Sequence, residues 1–132
     1  MAEDNCIFCK IIAGEIKTDF IHEDEKYIAF MDIEPVAKGH MLVIPKKHYQ
    51  FFIDMPEDEY AEISRIVHKL ANALKKATDT EYIHVGIEGV DVPHVHIHII
   101  PRNKGDGLSS YKRTRYEDGE MKEFTQKIRS FL

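Results

Sequence analysis

No stretch of this sequence approaches the roughly 20 consecutive apolar residues that a bilayer-spanning helix needs, so a membrane protein is not expected. Glu3 and Asp4 stand ahead of only a short apolar patch, where a secretory signal would have a basic segment and a long apolar run, and the expectation is a cytoplasmic protein. Positive charge is also in deficit. Eighteen lysines and arginines against 23 aspartates and glutamates leave a net charge of -5. Basic residues cluster at Lys46-Lys47 and from Lys112 to Arg115 and are otherwise largely dispersed, so nucleic acid is not an expected partner. Internal repeats, low-complexity tracts and linkers are missing too. The 132 residues are the right size for one domain, 1–132, able to close a hydrophobic core without staples.

What the sequence has in excess is histidine. Of eight, five fall at His40, His48, His94, His96 and His98. Such heavy use of one titratable residue in two short segments is the first chemical clue.

Along the chain, Cys6 to Gly14 predicts a short first helix, with Ile7, Phe8, Ile11 and Ile12 on its apolar face and Gly14 at the left-handed C-terminal position. Tyr27 to Met31 and His40 to Ile44 read as strands, joined through turn signals at Asp32-Ile33-Glu34-Pro35 and Lys38-Gly39, with Pro45 closing the second. Pro56 at a first helical position, followed by Glu57, Asp58 and Glu59, opens the longest helix. Its apolar residues, Tyr60, Ile63, Ile66, Val67, Leu70, Ala73, Leu74 and Ala77, recur at threes and fours. Tyr82 to Ile87 and His94 to Ile100 give two more strands, the latter closed by Pro101, and Met121, Phe124, Ile128 and Phe131 mark a C-terminal helix. The stretch from Arg102 to Arg115 is expected to be a mobile loop. Hairpin spacings around one central helix, without strict βαβ alternation, predict an α+β fold: an antiparallel sheet of about five strands, one long central helix and short terminal helices.

In a strand, alternate side chains share a face, so His94, His96 and His98 form an imidazole ladder while Val95, Ile97 and Ile99 enter the core. Successive rings about 6.5 to 7 Å apart suit a shared phosphate. A neutral imidazole attacks phosphorus, and a protonated nitrogen donates to phosphoryl oxygens. Two alternatives stand beside this reading: a purely structural ladder, and a catalytic metal on the His-x-His pair, which lacks neighbouring carboxylates to complete a hydrolytic site. Cys6-x-x-Cys9 is, in a reducing compartment, a metal knuckle or redox pair more often than a structural disulfide, and two free buried thiols are the alternative.

The run His94-Val95-His96-Ile97-His98-Ile99-Ile100 resembles the His-φ-His-φ-His-φ-φ signature of the histidine triad (HIT) family. Cys6-Ile7-Phe8-Cys9-Lys10-Ile11-Ile12, Phe30-Met31-Asp32-Ile33 and Gly39 through His48 are similar to that family's N-terminal half in order and spacing. The resemblance, to the Hint-like branch, implies a nucleotide hydrolase of nucleoside phosphoramidase type, acting on a purine nucleotide conjugate as a homodimer. His96 would attack the α-phosphorus to form a nucleotidyl-histidine that water hydrolyses to a nucleoside monophosphate. His98 would hold a phosphoryl oxygen, His94 or its backbone would orient His96, and His40 matches a further histidine nearby. Asp32 matches the ribose-binding acid, with a turn-forming aspartate before Pro35 as the alternative. Ile7, Phe8, Ile11, Phe30, Ile33 and Leu42 match the apolar base pocket, although without the resemblance all six would be core residues. Zinc-containing members imply a structural zinc at Cys6, Cys9, His48 and His94, and no catalytic metal is expected.

The sequence departs from the family on the approach to the triad. Where Gly-Gln-Ser/Thr-Val is usual, it has Gly89-Val90-Asp91-Val92, so glutamine becomes Val90 and the hydroxyl residue facing the leaving group becomes Asp91. Leaving-group preference therefore does not carry over. Dinucleoside polyphosphate hydrolysis is the neighbouring alternative, and a nucleotide-binding regulatory module with incidental turnover is a third.

Overall fold

The computed structural model describes residues 5–89, 91–107 and 113–132. Cys6 caps the first helix, α1 (Ile7–Ile12), by accepting from the Cys9 amide through its own Sγ at 3.4 Å. Gly14 follows at φ 82, the left-handed conformation that a helix end favours. Strands β1 (Phe20–Glu23), β2 (Tyr27–Met31) and β3 (Met41–Pro45) come next, then the long α2 (Glu57–Thr78), β4 (Tyr82–Ile87), β5 (Ile97–Arg102) and α3 (Glu120–Arg129). The five strands form one antiparallel sheet in the order β1-β2-β3-β5-β4. The fold is α+β, as the element pattern predicts.

Residue alternation divides this sheet between two apolar layers. Ala29, Met31, Met41, Val43, Ile97 and Ile99 face α2, meeting Ile63, Val67, Leu70 and Leu74 in the larger core. The opposite face sends Ile28, Phe30, Leu42 and Ile44 against Cys6, Phe8, Cys9 and Ile11 of the α1 segment. Both faces of β2 and β3 are therefore covered, and every residue in them is buried. In α2, Glu57, Asp58 and Glu59 occupy the first turn and Lys75 and Lys76 the last, matching the helix dipole at each end. Tyr60, expected on the buried stripe, is instead exposed.

Several boundaries depart from the sequence expectation: β3 begins at Met41 and not at His40, and it includes Pro45, which pairs with Tyr27. Strand β1 was not legible, since only Ile21 of its four residues is buried and the pairing with β2 is irregular between Phe20 and His22. Pro101 does not close the triad strand; it lies within β5 and pairs with Ile83. Beyond Ile99, β4 is the flanking strand in the recorded register, which leaves one side for a residue without an N–H. His94 and His96 precede the ladder proper: the Val95 amide donates to Tyr49 O at 2.8 Å, not to a strand neighbour. Of the expected mobile stretch 102–115, residues 108–112 lie outside the described residues. Its described ends are tied by Arg102 Nε to Asp106 Oδ2 at 2.8 Å and by Thr114 N to Pro35 O at 2.8 Å.

Candidate active site and metal centre

Strand register places His98 opposite Leu42 on one side and Gly86 on the other, so its ring stands on the α1 face of the sheet. The rings of His96 and His98 meet with centroids 4.9 Å apart, and Phe8 from α1 packs edge-on against His96 at 5.1 Å. His96 is buried and its Nδ1 lies 2.7 Å from the carbonyl oxygen of His94. A carbonyl only accepts, so Nδ1 carries the proton, and in the neutral ring Nε2 is left with a lone pair.

His98 is held in the opposite sense. The Val36 amide donates to His40 Nδ1 at 3.1 Å, which forces the His40 proton onto Nε2. Nε2 then donates to His98 Nδ1 at 2.8 Å, so the proton of a neutral His98 sits on Nε2. Burial pushes His40 down to about 3 and His98 to about 4, with neighbouring histidines and Arg113 adding to the same direction. The two rings are thus neutral near pH 7. The triad therefore offers one imidazole with a bare nitrogen and one with a fixed N–H donor.

Both rings line a cleft of about 780 Å³. Ile7, Phe8, Ile11, Phe30, Ile33 and Leu42, the six residues matched to a base pocket, all line it, as do Asp32 and Asp91. Phe8, Ile11, Phe30 and Leu42 are buried and belong also to the core, whereas Ile7 and Ile33 are 46% and 67% exposed. Two large aliphatic side chains left in solvent beside buried aromatic rings make an open apolar slot. The Oδ1 of Asp32 accepts the Glu34 amide at 2.9 Å, the turn role that the sequence also allowed. Burial raises the Asp32 carboxyl above its ordinary range, against the lowering effect of the Glu34 amide and of Arg113.

Arg113 was not singled out from the sequence. Its Nη1 reaches Asp32 Oδ2 at 3.0 Å, and its Nη2 lies 3.8 Å from Asp91 Oδ2. The available signal was the basic run from Lys112 to Arg115, read there only as charge clustering. Asp91 itself is 74% exposed along its side chain. Val90, the other departure on this approach, lies outside the described residues.

His94 turns the other way. Its Nε2 donates to Pro45 O at 2.8 Å, so Nδ1 is the unprotonated nitrogen of the neutral ring. Nδ1 lies 3.4 Å from Cys6 Sγ, 3.5 Å from Cys9 Sγ and 3.1 Å from His48 Nδ1, and Cys9 Sγ is 3.3 Å from His48 Nδ1. Cys6 and Cys9 are not joined in a disulfide. With zinc bonds of about 2.3 Å to sulfur and about 2.0 to 2.1 Å to nitrogen, a tetrahedron has edges of about 3.3 Å between nitrogens, about 3.6 Å between nitrogen and sulfur and about 3.8 Å between sulfurs, close to the nitrogen–nitrogen and nitrogen–sulfur separations here, so the set fits that ion. A second cluster, Asp32, His40 and His98, also brings its donor atoms close. There the His40–His98 hydrogen bond uses the facing nitrogens and Arg113 already neutralises Asp32, which makes it a poor cation site.

The HIT domain model matches residues 13–105. A HIT-like protein of Methanocaldococcus jannaschii is 50% identical over 106 residues, 77% of this chain and 82% of that one. The adenosine 5'-monophosphoramidase HNT1 of Saccharomyces cerevisiae is 41% identical over 105 residues, covering 78% of this chain and 66% of the yeast protein. Among solved structures, a zinc-bound histidine triad family protein from Mycobacterium smegmatis superposes with a TM-score of 0.84 at 31% identity, over 96% of this chain and 92% of the other.

Proposed function

Because the chain belongs to the HIT domain family, we propose that it is a nucleotide hydrolase that cleaves the bond to the α-phosphorus of a purine nucleotide conjugate, with phosphoramidates as its preferred substrates. The observation that carries this reading is the pair of opposed tautomers. His96, with Nδ1 pinned to the His94 carbonyl, keeps Nε2 as a nucleophile; His98, with Nδ1 accepting from His40, keeps Nε2–H as a donor.

The base lies in the apolar slot and the ribose hydroxyls donate to Asp32. His96 Nε2 attacks the α-phosphorus, the N–P bond forms, and the bond to the leaving group breaks as that group takes up a proton from solvent water. His98 Nε2–H binds a non-bridging oxygen as negative charge gathers there. Water then attacks the nucleotidyl-histidine, releasing nucleoside monophosphate and restoring the imidazole. His40 acts through His98 as a positioning residue, because the Val36 amide and the His40 ring together fix which nitrogen of His98 bears hydrogen.

Cys6, Cys9, His48 and His94 would hold a zinc ion. A closed four-ligand site keeps no position for water, so the metal ties α1 to the loop before β5 and takes no part in the chemistry. The zinc-bound relative supports this reading. One domain over the whole chain and a homodimer complete the proposal.

The test is a substrate panel: an adenosine phosphoramidate, an AMP-lysine adduct and diadenosine polyphosphates, compared by kcat/KM. Fastest release of AMP from the phosphoramidates is expected. Preference for the polyphosphates would transfer the chain to that neighbouring activity, and tight binding without turnover would make it a binding module.

A further inference from the structure

The Arg113 guanidinium lies between Asp32, at 3.0 Å, and Asp91, at 3.8 Å. Nη1 donates both to Asp32 Oδ2 at 3.0 Å and to the Glu34 carbonyl at 2.9 Å. The side chain lines the large cleft and also a smaller chamber of about 210 Å³ beyond His98. The Asp32 oxygen that it occupies is one of those assigned above to the ribose hydroxyls. Each Asp32 oxygen already accepts one hydrogen bond, from the Glu34 amide and from Arg113, so a ribose that bonds through both oxygens competes with Arg113 at Oδ2. The displaced guanidinium stays close, since the Thr114 amide holds the adjoining backbone to Pro35 O at 2.8 Å. Within that radius lie His98 and Asp91, the walls shared by the two cavities.

We propose that Arg113 is an exchanging phosphate ligand: it pairs with Asp32 in the free cleft and, when a ribose takes Asp32, turns to the phosphoryl oxygens of the bound nucleotide. This rests on the nucleotide reading of the site. The exchange has a consequence for selectivity. A nucleoside breaks the Arg113–Asp32 pair and returns nothing to the guanidinium, whereas a nucleotide supplies a phosphate that a planar fork of N–H donors fits. Arg113 thus sorts nucleotides from nucleosides before chemistry begins.

Calorimetric titration of the full chain with adenosine and with AMP separates the possibilities, using wild type, Arg113→Gln and Arg113→Lys. In Arg113→Gln, adenosine should bind as well as before or better, while AMP should weaken about tenfold or more, the loss expected for a charge-assisted hydrogen bond. Arg113→Lys should fall between, and AMP binding to Arg113→Gln should depend less on salt. An AMP-to-adenosine ratio equal in wild type and Arg113→Gln would overturn the proposal, whether both ligands weaken together or neither changes. Failure of the underlying reading looks different: wild type that binds neither ligand, or binds both as Asp32→Asn does, removes the nucleotide site itself and Arg113's role with it.

Discussion

His96 Nδ1 and the His94 carbonyl oxygen lie 2.7 Å apart, two residues from one another in sequence, and the His94 ring belongs to a different cluster altogether. One residue thus serves two sites: its carbonyl fixes the proton of the proposed nucleophile while its Nδ1 completes the cysteine-histidine set. If His96 is that nucleophile, His96→Ala should lose several orders of magnitude in kcat, with AMP binding through Asp32 and the apolar slot retained. Quenched reactions of the wild type should contain a nucleotidyl-histidine at this position. A variant keeping more than about a tenth of wild-type kcat would have lost under roughly 1.4 kcal/mol of barrier stabilisation, too little for a nucleophile.

The metal centre makes a separable prediction. Protein expressed with zinc available should carry about one zinc per chain, and Cys9→Ser, which removes one of four ligands, should lower stability far more than it lowers kcat. Elemental analysis alongside thermal melting decides it. Zinc-free protein with both thiols titratable, and melting like a fully loaded sample, would end the assignment.

The buried histidines predict a direction for stability against pH. Burial holds His40 down at about 3 and His98 at about 4, whereas both titrate near 6.5 in the unfolded chain. As pH falls from about 6.5 towards 4, the unfolded chain binds protons that the native chain refuses. Stability that is complete above that window is lost within it, by about 1.4 kcal/mol per pH unit for each ring. Urea denaturation of wild type and His98→Gln at pH 7 and pH 5 reads the His98 ring together with what it adds to the shift of His40. Wild type should lose about 2 kcal/mol more than the variant, and equal losses would mean that His98 is not held neutral by the fold.

How much of this was legible depended on whether the signal was local. The long α2 helix announced itself through repeated apolar spacing and acidic first-turn residues, and β2 and β3 through short apolar runs between turn residues. Strand β1 left almost no pattern, because a four-residue strand with one buried side chain is defined by its pairing with β2. The candidate site divides in the same way. His94, His96 and His98 stand within five residues, so strand spacing predicts their proximity, but only His98 lies in β5, and the turning of His94 towards Cys6 depends on contacts 88 positions apart. Arg113 meets Asp32 across 81 positions, and no spacing rule connects them.

Dimerisation is expected through the sheet edge. Among the described residues β4 ends the strand order, and it exposes Tyr82 and Val85. Light scattering should give twice the chain mass, and Val85→Lys should shift the population towards monomer while leaving the circular dichroism spectrum unchanged. A wild-type monomer at micromolar concentration would exclude the arrangement.

Asp91 takes the place where the family offers a neutral hydroxyl to the departing group, and its effect on substrate choice follows from charge. A carboxylate there favours a departing amine, which becomes cationic, and repels an anionic polyphosphate. Two features limit the size of the effect. The side chain is 74% exposed, which lets water screen it, and Arg113 Nη2 lies 3.8 Å from its Oδ2, which offsets part of its charge. Contact between like charges in a dry site costs several kcal/mol, and here the discrimination should be closer to about 1 kcal/mol, or severalfold in rate. The quantity to measure is kcat/KM for an amine phosphoramidate divided by that for a diadenosine polyphosphate, in wild type and in Asp91→Ser. The ratio should fall severalfold in the variant, and raising the salt concentration should shrink the wild-type preference in the same direction. A ratio unchanged or increased by Asp91→Ser would place the carboxylate in solvent, shaping only the turn before Pro93.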